Sequence, residues 1–363
     1  MTLRRVALRL SLALAGLLVA LLGVEAAFRV AHVSVGTVQI NRSVVRVSAN
    51  PRLRFELAPR SRAHAEVDYR VNAHGMRNPD VEEEKPAGVR RVAVLGDSIA
   101  FGYWVAEQDA FPARLGGMLQ QAGAKGVAVL NFGVPGYNLE QEAERLRSGA
   151  LRFAPDLVIV AFCLNDLRSL SHEFGLVQDR AQQRNTLAGW AADWLLARSQ
   201  VFSWVEYRRA QLESRREFVR AKNPLRGGVF PESEHAQRLE LSSRFGTIAE
   251  LLKPTGVPGV VAVFPLFGNR FGNYPYRSEH ALVVETARGA GLHAVDLLSC
   301  FEGYDYHDVR VDVAHPSPLG HQIAAHGVVD VLCDKHLLCA EPTRSERGCR
   351  DYRKEEFPQV RGY

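Results

Sequence analysis

The sequence lacks any long run of one charge. Its 45 Lys and Arg stand against 40 Asp and Glu, a net charge of +5. The basic residues are dispersed apart from Arg4, Arg5 and Arg9. No basic stretch interleaves with aromatics, so no nucleic-acid partner is expected. Cysteine is scarce, five in 363 residues, and no close Cys-x-x-Cys pair occurs. That pattern disfavours a zinc site, the competing reading of the cysteines. Neither an internal repeat nor a low-complexity tract is found, which sets aside repeat architectures and extended disorder. The G-x-S-x-G signature of one large hydrolase class is also missing.

What is present suits a globular enzyme-sized chain. A hydrophobic fraction of 47% allows a sizeable buried core. The length fits one α/β domain of ~200–250 residues plus additions. The first addition is N-terminal. Arg4, Arg5 and Arg9 precede an apolar run over residues 10–24. This reads as an export signal or a membrane anchor over residues 1–29, with the remainder outside the cytoplasm. Val24-Glu25-Ala26 is a poor cleavage site, so a retained anchor is favoured, with secretion as the outcome if it is cut. Cys300, Cys333, Cys339 and Cys349 gather near the C-terminus. An even number in an oxidising compartment suggests two disulfides, pairing open, that would tie the tail 336–363. Cys163, in an apolar run, reads as a small buried hydrophobe.

Residues 30–90 look like a small β-rich accessory segment, with short strands over 38–47, 53–57 and 66–71 and a polar linker over 82–85. From residue 91 the pattern alternates. Apolar strands are expected over 92–95, 127–132, 157–162, 257–264 and 292–295. Helices are expected over 111–121, 140–151, 235–252, 278–288 and 318–332. Continuously apolar strands separated by helices imply a doubly wound parallel sheet in three α/β/α layers, spanning 91–335. An insertion over 167–234 interrupts it. There Leu187, Trp190, Ala191, Trp194 and Leu195 share one helical face, followed by Phe202, Trp204, Val205 and Tyr207. These aromatics either cap the core or form a lid or membrane-surface platform.

Four short blocks carry the chemistry, each at a strand end. GDSIAFG, 96–102, follows the first core strand and puts Ser98 at a helix start, its own N–H available to an oxyanion. NFGVPGYN, 131–138, forms a glycine loop whose N–H groups can face a ligand. CLND, 163–166, places the Asn165 amide at the sheet's carboxyl edge, where ligands of such sheets bind. In VDVAHPSPLGH, 311–321, Asp312 lies three residues before His315, a spacing that lets the carboxylate fix the imidazole tautomer.

Taken together and in order, these blocks resemble the SGNH hydrolases, also called GDSL esterases and lipases, over roughly residues 91–332. The resemblance maps the family's Ser, Gly, Asn and His onto Ser98, Gly136, Asn165 and His315, and its acid onto Asp312. Gly133 stays open as an alternative to Gly136. Ile99 stands where Leu is usual. The resemblance implies a flavodoxin-like α/β/α fold and a serine esterase with no cofactor. Ser98 would be the nucleophile and His315 its base, oriented by Asp312; Ser98, Gly136 and Asn165 would line the oxyanion hole. The expected substrate is an acyl ester on an envelope glycan or lipid. An O-acyltransferase acting on surface polysaccharide would share the triad. A catalytically silent glycan-binding or assembly protein is the reading from another class.

Overall fold

In a computed structural model, residues 3–31, 43–64, 67–167, 233–339 and 348–358 are described, with scattered residues of 191–209. The chain opens with α1 (Leu3–Val30). Within it Leu8–Val30 has a mean hydropathy of 2.2 and none of it is buried. At ~1.5 Å per residue it is long enough for a bilayer core of ~30 Å. Its far end meets the insertion. Glu25 accepts hydrogen bonds from the Ser199 hydroxyl at 2.8 Å and the Gln200 N–H at 2.9 Å. Phe28 meets Trp204 edge-on at 5.6 Å. Held there, Trp194 is 47% and Leu195 39% exposed, so these two do not cap the core. Leu187, Trp190 and Tyr207 lie outside the described residues.

Two antiparallel hairpins follow. β1 (Val45–Val47) pairs with β2 (Phe55–Leu57), and β3 (Arg62–His64) with β4 (Asp68–Arg70). Strand β3 was not expected, because Ala63 is its one apolar residue. The polar linker over residues 82–85 is strapped down. The Arg91 guanidinium donates to the carbonyls of Glu82, Glu83, Glu84 and Phe153 at 2.7–3.0 Å. A buried arginine must place its donors somewhere, and backbone oxygens supply the acceptors.

The main sheet contains β5 (Arg90–Gly96), β6 (Val127–Asn131), β7 (Leu157–Cys163), β8 (Gly259–Phe264) and β9 (His293–Asp296). Their order is β6-β5-β7-β8-β9, all parallel. Side chains alternate across the pleat, so each strand feeds two cores. Val92, Val94, Ile159 and Ala262 pack with α3 (Phe111–Gln121) and α8 (Pro318–Asp334). Ala93, Leu95, Val160 and Val263 pack with α4 (Leu139–Ser148), α5 (Glu234–Leu252) and α6 (Arg277–Gly289). Burial on both faces explains why these strands lack polar alternation. The result is the expected three-layer α/β/α fold, with the order reversing between β5 and β7.

A third core joins the accessory segment to the main domain. Val44, Leu53, Phe55, Tyr69 and Val71 pack with Phe101, Tyr103, Trp104, Val134 and Val311. The hairpins therefore sit on the loops beyond the strand ends. At the other end of the chain, disulfides join Cys300 to Cys349 and Cys333 to Cys339, and Cys163 is buried and free. Tyr352 adds a 3.0 Å contact between its hydroxyl and His326 Nδ1.

Candidate active site

The site is built where β5, β6 and β7 end. After β5 the chain turns sharply at Gly96, φ +150°, where a Cβ would lie 3.0 Å from the Ala161 carbonyl oxygen. Asp97 then caps the short helix α2 (Ser98–Phe101), its Oδ1 accepting the Ile99 N–H at 2.8 Å. This turn lifts Ser98 out of the core. Among residues 91–105 Ser98 alone is not buried.

The same holds for two other candidates. Gly136 is the one unburied residue in 130–139, and Asn165 the one in 157–167. Gly136 has φ +81°, a left-handed conformation that suits glycine. Its loop is tied to β5, since Phe132 N–H donates to Val94 O and Val134 N–H to Gly96 O. Gly133 behaves differently. It is buried, and a Cβ there would overlap the Phe101 N at 2.5 Å. Gly133 thus permits the loop to press on α2, leaving Gly136 as the glycine that faces outward. Asn165 donates one amide N–H to Asp97 Oδ2 at 2.8 Å. The amide carries two N–H groups, so this bond orients it and leaves the second for a ligand.

The fourth block folds into a tight loop before α8. Val311 N–H donates to the His315 carbonyl, and Ser317 caps α8. His315 Nε2 lies 2.9 Å from Ser98 Oγ. Its Nδ1 lies 2.8 Å and 2.9 Å from the two Asp312 oxygens. Asp312 Oδ1 also accepts the N–H groups of Ala314 and His315, each at 2.8 Å. Burial pushes the Asp312 pKa up, but the His315 hydrogen bond and charge and these N–H groups outweigh it and hold it at about 2. The carboxylate is therefore ionised at any working pH and keeps the Nδ1 proton on the ring. That tautomer leaves Nε2 free to accept the Ser98 proton.

Sequence reasoning missed several residues here. Trp104 Nε1 donates to Asp312 Oδ2 at 2.9 Å. Tyr103 meets the His315 ring edge-on at 5.3 Å. Asp97 joins the first and third blocks, and burial raises its pKa against the Ile99 and Asn165 hydrogen bonds and the His315 charge. No spacing rule flags these residues, because their partners are distant in sequence. A second pair, Asp296 and His280, is 2.8 Å apart, but the far ring nitrogen meets the Tyr274 hydroxyl and His280 is fully buried. Among the described residues, its far nitrogen meets a tyrosine rather than a serine or cysteine.

A doubly wound parallel sheet with serine, histidine and aspartate in hydrogen-bonded series at its carboxyl edge defines a class of serine ester hydrolases. Residues 94–323 match the model of the GDSL-like lipase/acylhydrolase family, and the chain belongs to that family. No curated protein matches. Similar solved structures include a catalytic mutant of the acetylxylan esterase Axe2 from Geobacillus stearothermophilus. It is 17% identical over 72% of this chain and 99% of that one, with a TM-score of 0.41. TesA is 15% identical over 69% and 100%, TM-score 0.43. A lipase/acylhydrolase from Enterococcus faecalis is 18% identical over 71% and 100%, TM-score 0.39.

Proposed function

We propose that the protein cleaves acyl esters outside the cytoplasm through an acyl-enzyme on Ser98, with His315 as base and Asp312 as its orienting acid. The observation that carries this reading is the unbroken series Ser98 Oγ, His315 Nε2, His315 Nδ1, Asp312, with every link at 2.8–2.9 Å. Ser98 Oγ attacks the ester carbonyl as His315 takes its proton. The Ser98 and Gly136 N–H groups and the free Asn165 amide proton hold the oxyanion. Collapse expels the alcohol, which receives the proton from His315. Water then attacks the acyl-enzyme by the same route in reverse. Only neutral imidazole accepts the serine proton, so activity rises with pH.

Two features support the location. The α1 stretch is long and apolar enough to anchor the chain. Four of the five cysteines pair, as expected in an oxidising compartment. Acyl groups on envelope glycans or lipids are the substrates such a location offers.

The test is direct. A fluorophosphonate probe should label wild type at Ser98. Ser98→Ala should lose both labelling and hydrolysis of p-nitrophenyl acetate at an unchanged melting temperature. A Ser98→Ala protein that still turns over the ester would sink the assignment. A C-terminal reporter active only in the cytoplasm would sink the location.

A further inference from the structure

Trp104 holds an unusual backbone for a large side chain. Its φ is +67°, in the left-handed region that a bulky residue enters only when its surroundings impose it. The surroundings here come from the accessory segment. The Trp104 N–H donates to the Tyr69 hydroxyl at 2.8 Å. The Tyr69 ring is stacked on Phe101, centroids 5.6 Å apart and planes within 5°. Arg77, 1% exposed, lies over both rings at 4.5 Å and 5.2 Å. Its guanidinium donates to the carbonyls of Phe101 at 3.0 Å, Gly102, and Val105 at 2.7 Å. The loop between α2 and residue 105 is thus gripped on both sides of Trp104. Holding the backbone this way aims the indole N–H at Asp312 Oδ2, the same oxygen that His315 Nδ1 approaches at 2.8 Å.

We propose that Trp104 is a positioning residue for Asp312, and that the accessory segment is a working part of the active site that sets Trp104 through Tyr69 and Arg77. The inference rests on the reading of Ser98, His315 and Asp312 as the triad. Oδ1 is fixed by two backbone N–H groups of its own loop. Among the described residues, Oδ2 has His315 and the indole as its donors. The indole therefore fixes the carboxylate's rotation from outside the loop. It also draws off carboxylate basicity, which tempers how firmly Asp312 holds the imidazolium. Among the described residues, Asp97 and His321 also interact with the His315 charge, and a change at Trp104 leaves both in place.

Trp104→Phe keeps an aromatic ring and removes the N–H. It should lower kcat on p-nitrophenyl acetate roughly 10- to 100-fold, as expected for one lost hydrogen bond to a charged group, with KM within about twofold. The acid limb of its kcat/KM profile should move to higher pH, because the carboxylate becomes more basic and stabilises the imidazolium. Tyr69→Phe keeps the stack and the Arg77 contact but removes the acceptor for the Trp104 N–H. It should change kcat in the same direction by less and serves if Trp104→Phe folds poorly. Fluorophosphonate labelling of wild-type Ser98 is run alongside. If wild type neither labels nor hydrolyses, the triad reading fails and this proposal falls with it. If wild type is active and both variants keep kcat per folded molecule and the pH profile while melting lower, Trp104 serves packing alone and the proposal is overturned.

Discussion

At the residue scale, Asn165 separates catalytic from structural roles most cleanly. One of its amide protons is spent on Asp97, itself bound to the first turn of α2. Asn165→Ala removes a tie between two blocks as well as the proposed oxyanion donor. The tie accounts for about 1 kcal/mol of stability. The donor acts on charge that exists chiefly in the transition state, so kcat should fall ~10²–10³-fold with little change in KM. Measuring kcat and melting temperature on one preparation distinguishes the two. A lower melting temperature with normal kcat would leave Asn165 as a tie only. The sequence pointed to Asn165 because Asn-Asp follows an apolar run. It could not show that Asp97 aims the amide, since Asp97 lies 68 residues earlier.

At the scale of elements, the C-terminal tail is held by chemistry rather than by packing alone. The Cys300–Cys349 bond closes a separation of 49 residues, against 6 for Cys333–Cys339. Chain entropy assigns about 4 kcal/mol to the longer loop and about 2 kcal/mol to the shorter. Cys349→Ser should therefore lower the melting temperature more than Cys339→Ser, and should open residues 348–358 to protease. Equal losses from both variants, with the tail still resistant, would contradict this ranking. The even count of cysteines was readable in sequence. The pairing was not, because it depends on how α7 (Leu298–Phe301) and the tail approach across the end of α8.

At the scale of the whole molecule, two buried carboxyls make stability depend on pH. Glu142 is fully buried, and among the described residues neither carboxyl oxygen has a hydrogen-bond partner. Burial and the nearby Asp97 charge push its pKa well above the usual 4.5. Asp166, also fully buried, is pushed up by burial and by Glu142. A carboxyl whose folded pKa is raised contributes stability that is fully present below its unfolded value, about 4.5, and lost as pH rises toward the folded one. Glu142→Gln keeps the shape and cannot ionise. It should match wild type at pH 4 and exceed it at pH 8, with the higher melting temperature there. Urea unfolding at both values checks this; a variant equal to wild type at pH 8 would mean that Glu142 stays ionised and paired in the fold.

The sequence by itself determined the strand and helix runs of the main sheet and its helices, the three-layer class and the four blocks that hold the candidate residues. These are local properties, carried by apolar periodicity and by turn chemistry within a few residues. It favoured Gly136 in the second block with Gly133 as the alternative, and only tertiary packing shows Gly133 pressed against Phe101. It read the stretch before β5 as a polar linker, and could not show that Arg91 draws three of its carbonyls to itself. Tertiary structure alone decided the strand order, the approach of Ser98 to His315 across 217 residues, and that of Trp104 to Asp312 across 208. The physical reason is the same in each case. A contact between distant residues depends on where the sheet carries both chain segments, and no short stretch of sequence contains that information.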